Sequence, residues 1–266
     1  MKKKHRLYQA WLIEQINILS NPVLIVEDSN TIIDFKNIPF RVAVPLKENP
    51  KEPEYVSQFL FKQKLDKSGL WMETGVWKGE MINRMAKANP DKIIYGFDSF
   101  EGFPDDGRKP GDWDYVGFNL KGVVPNMIHG MPFARNIELT KGWFKDTLPS
   151  FLELEQKKIS FISIDCDLYS STKDVLECIK NYITNETIVV FDDAWHYDGY
   201  EDHQMKALYE FVKEYNYQVK WICSRGEMFP LERMDERRGE SWNWRNQYRW
   251  RANNNYSDCA FFLIKG

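Results

Sequence analysis

Two short runs in this chain end abruptly in carboxylates. Ile159 to Thr172 reads Ile-Ser-Phe-Ile-Ser-Ile-Asp-Cys-Asp-Leu-Tyr-Ser-Ser-Thr, and its apolar part stops at Asp165 and Asp167; Thr187 to Asp193 has the same character and stops at Asp192 and Asp193. The β-branched and aromatic content of each run is that of a buried strand. Four ionised carboxylates at one place would repel one another, so a positive partner or protons are expected there. A hard divalent cation is the economical answer. An all-oxygen set with no Cys or His partner suits Mg²⁺, Ca²⁺ or Mn²⁺ rather than Zn²⁺. The alternative is capping of the helices that follow, which needs no metal. Asp167 is the strongest capping candidate, because Ser170, Ser171 and Thr172 crowd the same helix start.

A second constellation lies upstream. Leu70-Trp-Met-Glu73-Thr74-Gly75-Val-Trp-Lys-Gly79-Glu80 reads as a strand that turns through glycines into a helix bearing Met81, Ile82 and Met85. Gly75 permits the tight turn, and Gly79 lets the helix start approach a ligand closely. The next strand, Lys92-Ile-Ile-Tyr-Gly-Phe-Asp98-Ser99, ends in an acid about twenty residues past the turn, where such folds hold ribose hydroxyls. A nucleoside-bearing cofactor is therefore expected. The spacing, G-x-x-x-G and not G-x-G-x-x-G, speaks against a nicotinamide dinucleotide. Trp143 and Phe144, after a strand at Asn136 to Thr140, form an aromatic pair able to flank an adenine.

These residues need a frame to bring them together. Val175, Leu176, Ile179 and Ile183 fall at helical spacing between the two acidic strands, so that unit reads strand, helix, strand. Such a crossover is right-handed and puts both carboxyl ends on one edge of a parallel sheet. Helices are expected at Tyr55 to Leu65, Asp146 to Leu154 and Gln204 to Tyr215, and further strands at Tyr217 to Cys223 and Tyr256 to Ile264. Leu7, Trp11, Leu12, Ile16 and Leu19 mark an N-terminal helix. It precedes any sheet element, so it is expected on the outside of the domain or against a second subunit, in a homodimer or higher homo-oligomer. Residues 1–53 are thus read as an N-terminal helix and covering segment, and 54–266 as the main domain with an insertion at 225–255. The Gly-, Pro- and aromatic-rich stretch from Glu101 to Pro132 is expected to cover the bound ligands.

Composition narrows the classes further. The 266 residues carry a net charge of −3 with a pI near 5.9, which argues against a nucleic-acid partner. No apolar run is long enough to span a bilayer, and Met1-Lys-Lys-Lys-His leads into an amphipathic segment rather than a signal sequence, so a cytoplasmic location is expected. Cys166, Cys178, Cys223 and Cys259 are too scattered for a zinc cage or a disulfide framework.

Five blocks, Glu73-Thr-Gly-Val-Trp-Lys-Gly79, Gly96-Phe-Asp-Ser-Phe-Glu-Gly-Phe-Pro104, Lys141-Gly-Trp-Phe-Lys-Asp-Thr-Leu148, Ile164-Asp-Cys-Asp-Leu-Tyr-Ser-Ser-Thr172 and Phe191-Asp-Asp193, closely resemble the macrocin O-methyltransferase family. The blocks fall in the right order between about Leu70 and Phe211; the first 50 residues and the insertion lie outside them. The resemblance implies the class I methyltransferase fold, an α/β Rossmann-like sheet of seven strands, mostly parallel with an antiparallel last strand and helices on both faces. It also implies methyl transfer from S-adenosylmethionine, assisted by Mg²⁺, to a hydroxyl of a sugar or glycoside acceptor, as in capsule, lipopolysaccharide or natural-product tailoring. A phenol, acid or phosphate-type oxygen is the alternative acceptor. Carried onto this chain, Glu73, Thr74, Gly75 and Gly79 hold the methionine end of the cofactor and Asp98 the ribose. Gly142 and Trp143 lie near the adenine, Ser99 and Asp165 complete the cofactor set, and Asp165, Asp192 and Asp193 match the metal ligands. A hydroxyl acceptor also needs a base. His196 and His203 follow the metal aspartates, and His129 in the covering stretch is an outside candidate.

Overall fold

The computed structural model describes residues 2–20, 24–25, 32–37, 42–44, 55–105, 127–128, 131–195, 200–225 and 258–266. In chain order these form α1 (Lys2–Ser20), β1 (Leu24–Ile25), β2 (Val42–Val44), α2 (Val56–Phe61), β3 (Leu70–Thr74), α3 (Glu80–Ala88), β4 (Ile94–Asp98), β5 (Met127–Ile128) and β6 (Met131–Pro132). Then follow β7 (Ile137–Lys141), α4 (Phe144–Glu155), β8 (Ile159–Ile164), α5 (Tyr169–Ile179), β9 (Ile188–Phe191), a 3₁₀ turn (Tyr200–Asp202), α6 (Gln204–Tyr215), β10 (Tyr217–Arg225) and β11 (Cys259–Lys265).

The main sheet runs β1-β2-β10-β11-β9-β8-β3-β4-β7. β11 is antiparallel to both its neighbours, β10 and β9, and every other pairing in the sheet is parallel. The seven strands from β10 to β7 are the expected mostly parallel sheet with an antiparallel last strand. Two short parallel strands, β1 and β2, extend it beyond β10. Burial explains which strands sit where. β3, β8 and β9 are buried along their whole length, as near-continuous apolar runs must be when helices cover both faces. The edge strand β7 has no fully buried position, and Glu138 and Lys141 are its exposed residues, which blunts the edge.

Period-2 alternation sends successive side chains to opposite faces. Met72, Ile162, Ile164, Val189, Phe191 and Phe261 pack in one core with α4, α5 and α6. Trp71, Phe161, Ile188, Val190, Ala260 and Phe262 pack in the other with α2 and α3. The N-terminal helix was expected on the outside or on another subunit. It packs on the domain itself: Trp11, Leu12, Ile16 and Leu19 of α1 join the first core, and the Tyr8 and Trp11 rings lie 4.9 and 5.3 Å from that of Tyr209 in α6. Gln15 accepts a 3.1 Å bond from the Trp221 indole of β10, and the Tyr8 hydroxyl donates to the Glu201 carbonyl. Each such fully buried apolar side chain contributes about 1.5–3 kcal/mol, so α1 is a structural part of the sheet's cover. Among the described residues no helix is long and apolar enough to cross a membrane. Most of the covering segment 21–53 and nearly all of the insertion 225–255, with Trp242, Trp244 and Trp250, lie outside the described residues.

Candidate functional site

Parallel pairing puts the carboxyl ends of β4, β3, β8 and β9 side by side, and backbone bonds stitch those ends together. Gly75 N–H donates to the Phe97 carbonyl at 2.9 Å, Asp165 N–H to the Thr74 carbonyl at 2.9 Å, and Gly142 N–H to the Asp98 carbonyl at 2.9 Å. The glycine at the centre of this seam is required. Gly75 has φ +91, and a Cβ there would lie 1.7 Å from the Asp165 carbonyl oxygen. Gly79 takes φ +80 as the residue before α3 and Trp77 φ +47 between the two glycines, so the chain turns from strand to helix through three positive-φ positions.

Asp98, at the tip of β4, accepts 2.8 Å from Trp77 N–H on Oδ2 and 2.7 Å from Phe100 N–H on Oδ1. A carboxylate offers about four lone-pair sites, so acceptor capacity remains on the same side chain for hydroxyl donors. Ser99 is turned inward on its own loop, donating to the Gly102 carbonyl at 2.8 Å and accepting Glu101 N–H at 3.1 Å.

An open cleft of about 530 Å³, solvent-facing mouth included, lies above these strand ends. Its lining includes Gly75, Trp77, Asp98 and Ser99 from β3 and β4 and the turns after them, Gly102, Phe103 and Pro104, Gly142, Trp143 and Phe144 around the start of α4, and Asp165, Cys166, Asp167 and Ser171 after β8. Phe103 and Pro104 begin the stretch expected to cover the ligands; residues 106–126 and 129–130, His129 included, lie outside the described residues. Glu73, Thr74 and Gly79 do not line the cleft. Thr74 is fully buried with its hydroxyl donating to the Ser163 carbonyl at 3.4 Å, which ties β3 to β8.

The acidic cluster has a membership of its own. Asp165, Asp167 and Asp193 bring one carboxylate oxygen each within 4.8 Å of one another, with Asp193 buried and the other two half-buried. Asp192 stands elsewhere. It acts with Asp98 on Glu73, whose carboxyl is pushed well up first by burial and then by those two charges. Glu73 Oε2 is buried and has no hydrogen-bond partner among the described residues. The N-cap position of α5 is held by Leu168, and Asp167 precedes it in a left-handed conformation, φ +58, that Asp tolerates. Sequence spacing alone hides this turn, since nothing in Asp-Cys-Asp says that the second carboxylate comes back beside the first.

The Cys166 thiol forms part of the cleft wall, 3.6 Å from the Thr172 hydroxyl, and burial raises it well above the usual thiol range. It is a wall and not a nucleophile. His203 sits at the start of α6, taking its N–H to the Tyr200 carbonyl at 3.2 Å. His196 lies outside the described residues.

The arrangement offers an open cleft with an acid at one strand tip and aromatic walls, whose lining includes two of the three clustered carboxylates, Asp165 and Asp167. Comparison with known proteins agrees in kind. The model of the family described as Macrocin-O-methyltransferase (TylF) matches residues 63–222. A Streptomyces olivaceus protein, 8-demethyl-8-(2,3-dimethoxy-alpha-L-rhamnosyl)-tetracenomycin-C 4'-O-methyltransferase, is 29% identical over 140 residues, covering 46% of this chain and 51% of that protein. Mycinamicin III 3''-O-methyltransferase of Micromonospora griseorubida is 27% identical over 139 residues, 46% of this chain and 54% of that one. The chain thus spans about half the length of the curated relatives it matches. Among solved structures, the calicheamicin methyltransferase CalS11 is 29% identical with a TM-score of 0.44, covering 62% of this chain and 72% of that chain.

Proposed function

The chain belongs to the macrocin O-methyltransferase family, and from that premise we propose that it moves a methyl group from S-adenosylmethionine to a hydroxyl of a sugar or glycoside, assisted by Mg²⁺. The observation that carries the reading is the junction of two half-sites. One cleft is lined by Asp98, Gly142 and Trp143 and also by Asp165 and Asp167, and those two carboxylates stand within ligand reach of Asp193. A rhamnosyl group in the name of one relative supports a sugar acceptor.

The residues suit both groups. An oxygen-only donor set of three carboxylates is the chemistry a hard divalent cation takes. S-adenosylmethionine supplies an electrophilic methyl, and a divalent cation lowers the pKa of a hydroxyl and orients its oxygen. The chain's own residues do the rest. Trp143, Phe144, Phe103 and Pro104 give the apolar walls that exclude water, and the spare lone pairs of Asp98 receive ribose hydroxyls. Asp165, Asp167 and Asp193 hold the cation, and they share two members with the set Asp165, Asp192 and Asp193 that the family resemblance implies. The proton of the acceptor hydroxyl leaves to His196 or His203 in the segment after Asp193, and the one that serves is the one whose Gln substitution removes turnover without weakening cofactor binding.

The test is turnover of a panel of glycosides, phenols, carboxylic acids and phosphate esters with labelled S-adenosylmethionine. Methylation confined to sugar hydroxyls, abolished by EDTA and restored by Mg²⁺, is expected. Methylation of a phenol, acid or phosphate ester instead would replace the acceptor, and full turnover in EDTA would remove the cation from the reading.

A further inference from the structure

Gln204, the first residue of α6, is fully buried, and its side-chain N–H donates to the carbonyl oxygen of Ile164 at 3.0 Å. The assignment of nitrogen and oxygen follows from chemistry, since a backbone carbonyl only accepts. The choice of carbonyl matters. Ile164 is the last residue of β8, immediately before Asp165, and the same oxygen also receives the backbone N–H of Asp192 at 3.4 Å. One oxygen atom therefore joins three elements: the end of β8, the end of β9 and the start of α6. The acidic residues of the cluster leave from the first two of these.

We propose that Gln204 is a positioning residue for the acidic cluster, fixing the β8 end that carries Asp165 and Asp167 against the β9 end that carries Asp193. The backbone bond between the strand ends is long at 3.4 Å, near the outer limit for such bonds. The side-chain bond of Gln204 is the shorter of the two and holds the carbonyl from a second direction. A stability role alone does not account for a glutamine here. Its Oε1 is buried with no hydrogen-bond partner among the described residues, and an unsatisfied buried acceptor is costly. An apolar residue of the same length would remove that cost, so the amide is retained for what its N–H places. Residues that orient metal ligands without touching the metal commonly change affinity by about 10–100-fold when removed.

This inference rests on the reading of the cluster as a cation site, and the experiment separates the two. Mn²⁺ alone is titrated into the purified full-length protein and the free ion followed by electron paramagnetic resonance. S-adenosylhomocysteine binding by calorimetry and thermal melting are measured on the same samples. Gln204→Met keeps the volume and removes the tie; Gln204→Asn is too short to span it and serves should the first variant not fold. Gln15→Met removes a comparable buried side-chain bond, the 3.1 Å contact with Trp221, between α1 and β10, two elements that carry no member of the cluster. Expected is a loss of Mn²⁺ affinity of about tenfold or more in the Gln204 variants. Their S-adenosylhomocysteine affinity stays within about twofold and their melting temperature within about 4 °C, the shift that roughly 1 kcal/mol produces in a chain of this size. Gln15→Met should bind Mn²⁺ as the wild type does. A folded Gln204 variant that binds Mn²⁺ like the wild type overturns the positioning role while leaving the cation site in place. Equal losses in the Gln204 and Gln15 variants overturn it as well, because the effect is then general softening. A wild-type protein that retains no Mn²⁺ removes the cation site and this inference with it.

Discussion

Gly75→Ala tests the seam on which both half-sites depend. A methyl group at that position would lie 1.7 Å from the Asp165 carbonyl oxygen and 2.5 Å from its carbon, in a backbone with φ +91. Ordinary contact begins near 3.4 Å, so the two chains must part by about 1.7 Å, the difference between 3.4 and 1.7. The Asp165 N–H bond to the Thr74 carbonyl, 2.9 Å long, does not survive such a displacement. A left-handed conformation costs a residue with a Cβ about 1–2 kcal/mol, and a lost hydrogen bond about 0.5–1.5 kcal/mol. The sum, roughly 1.5–3.5 kcal/mol, lowers the melting temperature by about 3–14 °C at the 2–4 °C per kcal/mol typical of this size. Function suffers more than stability, because Asp165 belongs both to the cleft wall and to the acidic cluster, and a 1 Å misplacement commonly costs a factor of about 100. Melting and calorimetric titration with S-adenosylhomocysteine, followed by Mn²⁺ titration, read the two effects. A Gly75→Ala protein that melts within 2 °C of wild type (about 1 kcal/mol or less) and binds both ligands normally would show that the close approach of β3 and β8 is not what shapes this site.

Asp167→Asn should weaken Mn²⁺ binding more than Asp192→Asn, because Asp167 and not Asp192 shares the cluster with Asp165 and Asp193; the reverse order in a Mn²⁺ titration would restore the set expected from the sequence. Glu73 has its carboxyl raised by burial, then by Asp192 and Asp98, so above the ordinary Glu value of about 4.3 the folded protein holds a proton that the unfolded chain has lost. Its stability in EDTA therefore falls as pH rises from there towards the raised value, and Glu73→Gln should flatten that slope in urea melts taken from pH 5 to 8. Ile16→Ala in α1 removes a fully buried side chain of the main core and should cost about 2–5 kcal/mol in urea unfolding; a cost below 1 kcal/mol would mean that α1 is only loosely attached. Cys166, Cys223 and Cys259 are buried, and burial lifts the half-buried Cys178 to about 11, so Ellman's reagent at pH 8 should react slowly with native protein and titrate all four thiols only in guanidinium.

The central strands were legible because they obey one rule without competition. Where helices cover both faces of a parallel sheet, every position must be apolar, and Ile159–Ile164 and Ile188–Phe191 are apolar runs, broken only by Ser160 and Ser163, bounded by charge. Right-handed crossover then fixes which edge receives the charges. The N-terminal helix was legible as a helix but not in its placement, because an amphipathic stripe reports that a face is buried and not what buries it. Trp11, Leu12, Ile16 and Leu19 meet the sheet's own core, so the stripe that suggested a second subunit is satisfied within the chain. Two partners decide this, Tyr209 and Trp221, and they lie about two hundred residues away along the sequence.

The acidic cluster marks the deeper limit of pattern. Adjacent residues at a strand end send their side chains to opposite faces, so Asp192 and Asp193 cannot both follow the strand's geometry into one site without a break in it. In the structure Asp193 joins Asp165 and Asp167, while the charge of Asp192 acts on Glu73. Asp165 and Asp167 lie beyond the end of β8, where alternation no longer holds, and the chain takes a left-handed turn at Asp167. A doublet of acids after a buried strand reads as two ligands only until one asks what each meets, and here the second acid of the doublet joins the carboxylates of the neighbouring strand while the charge of the first pushes up the buried Glu73 carboxyl.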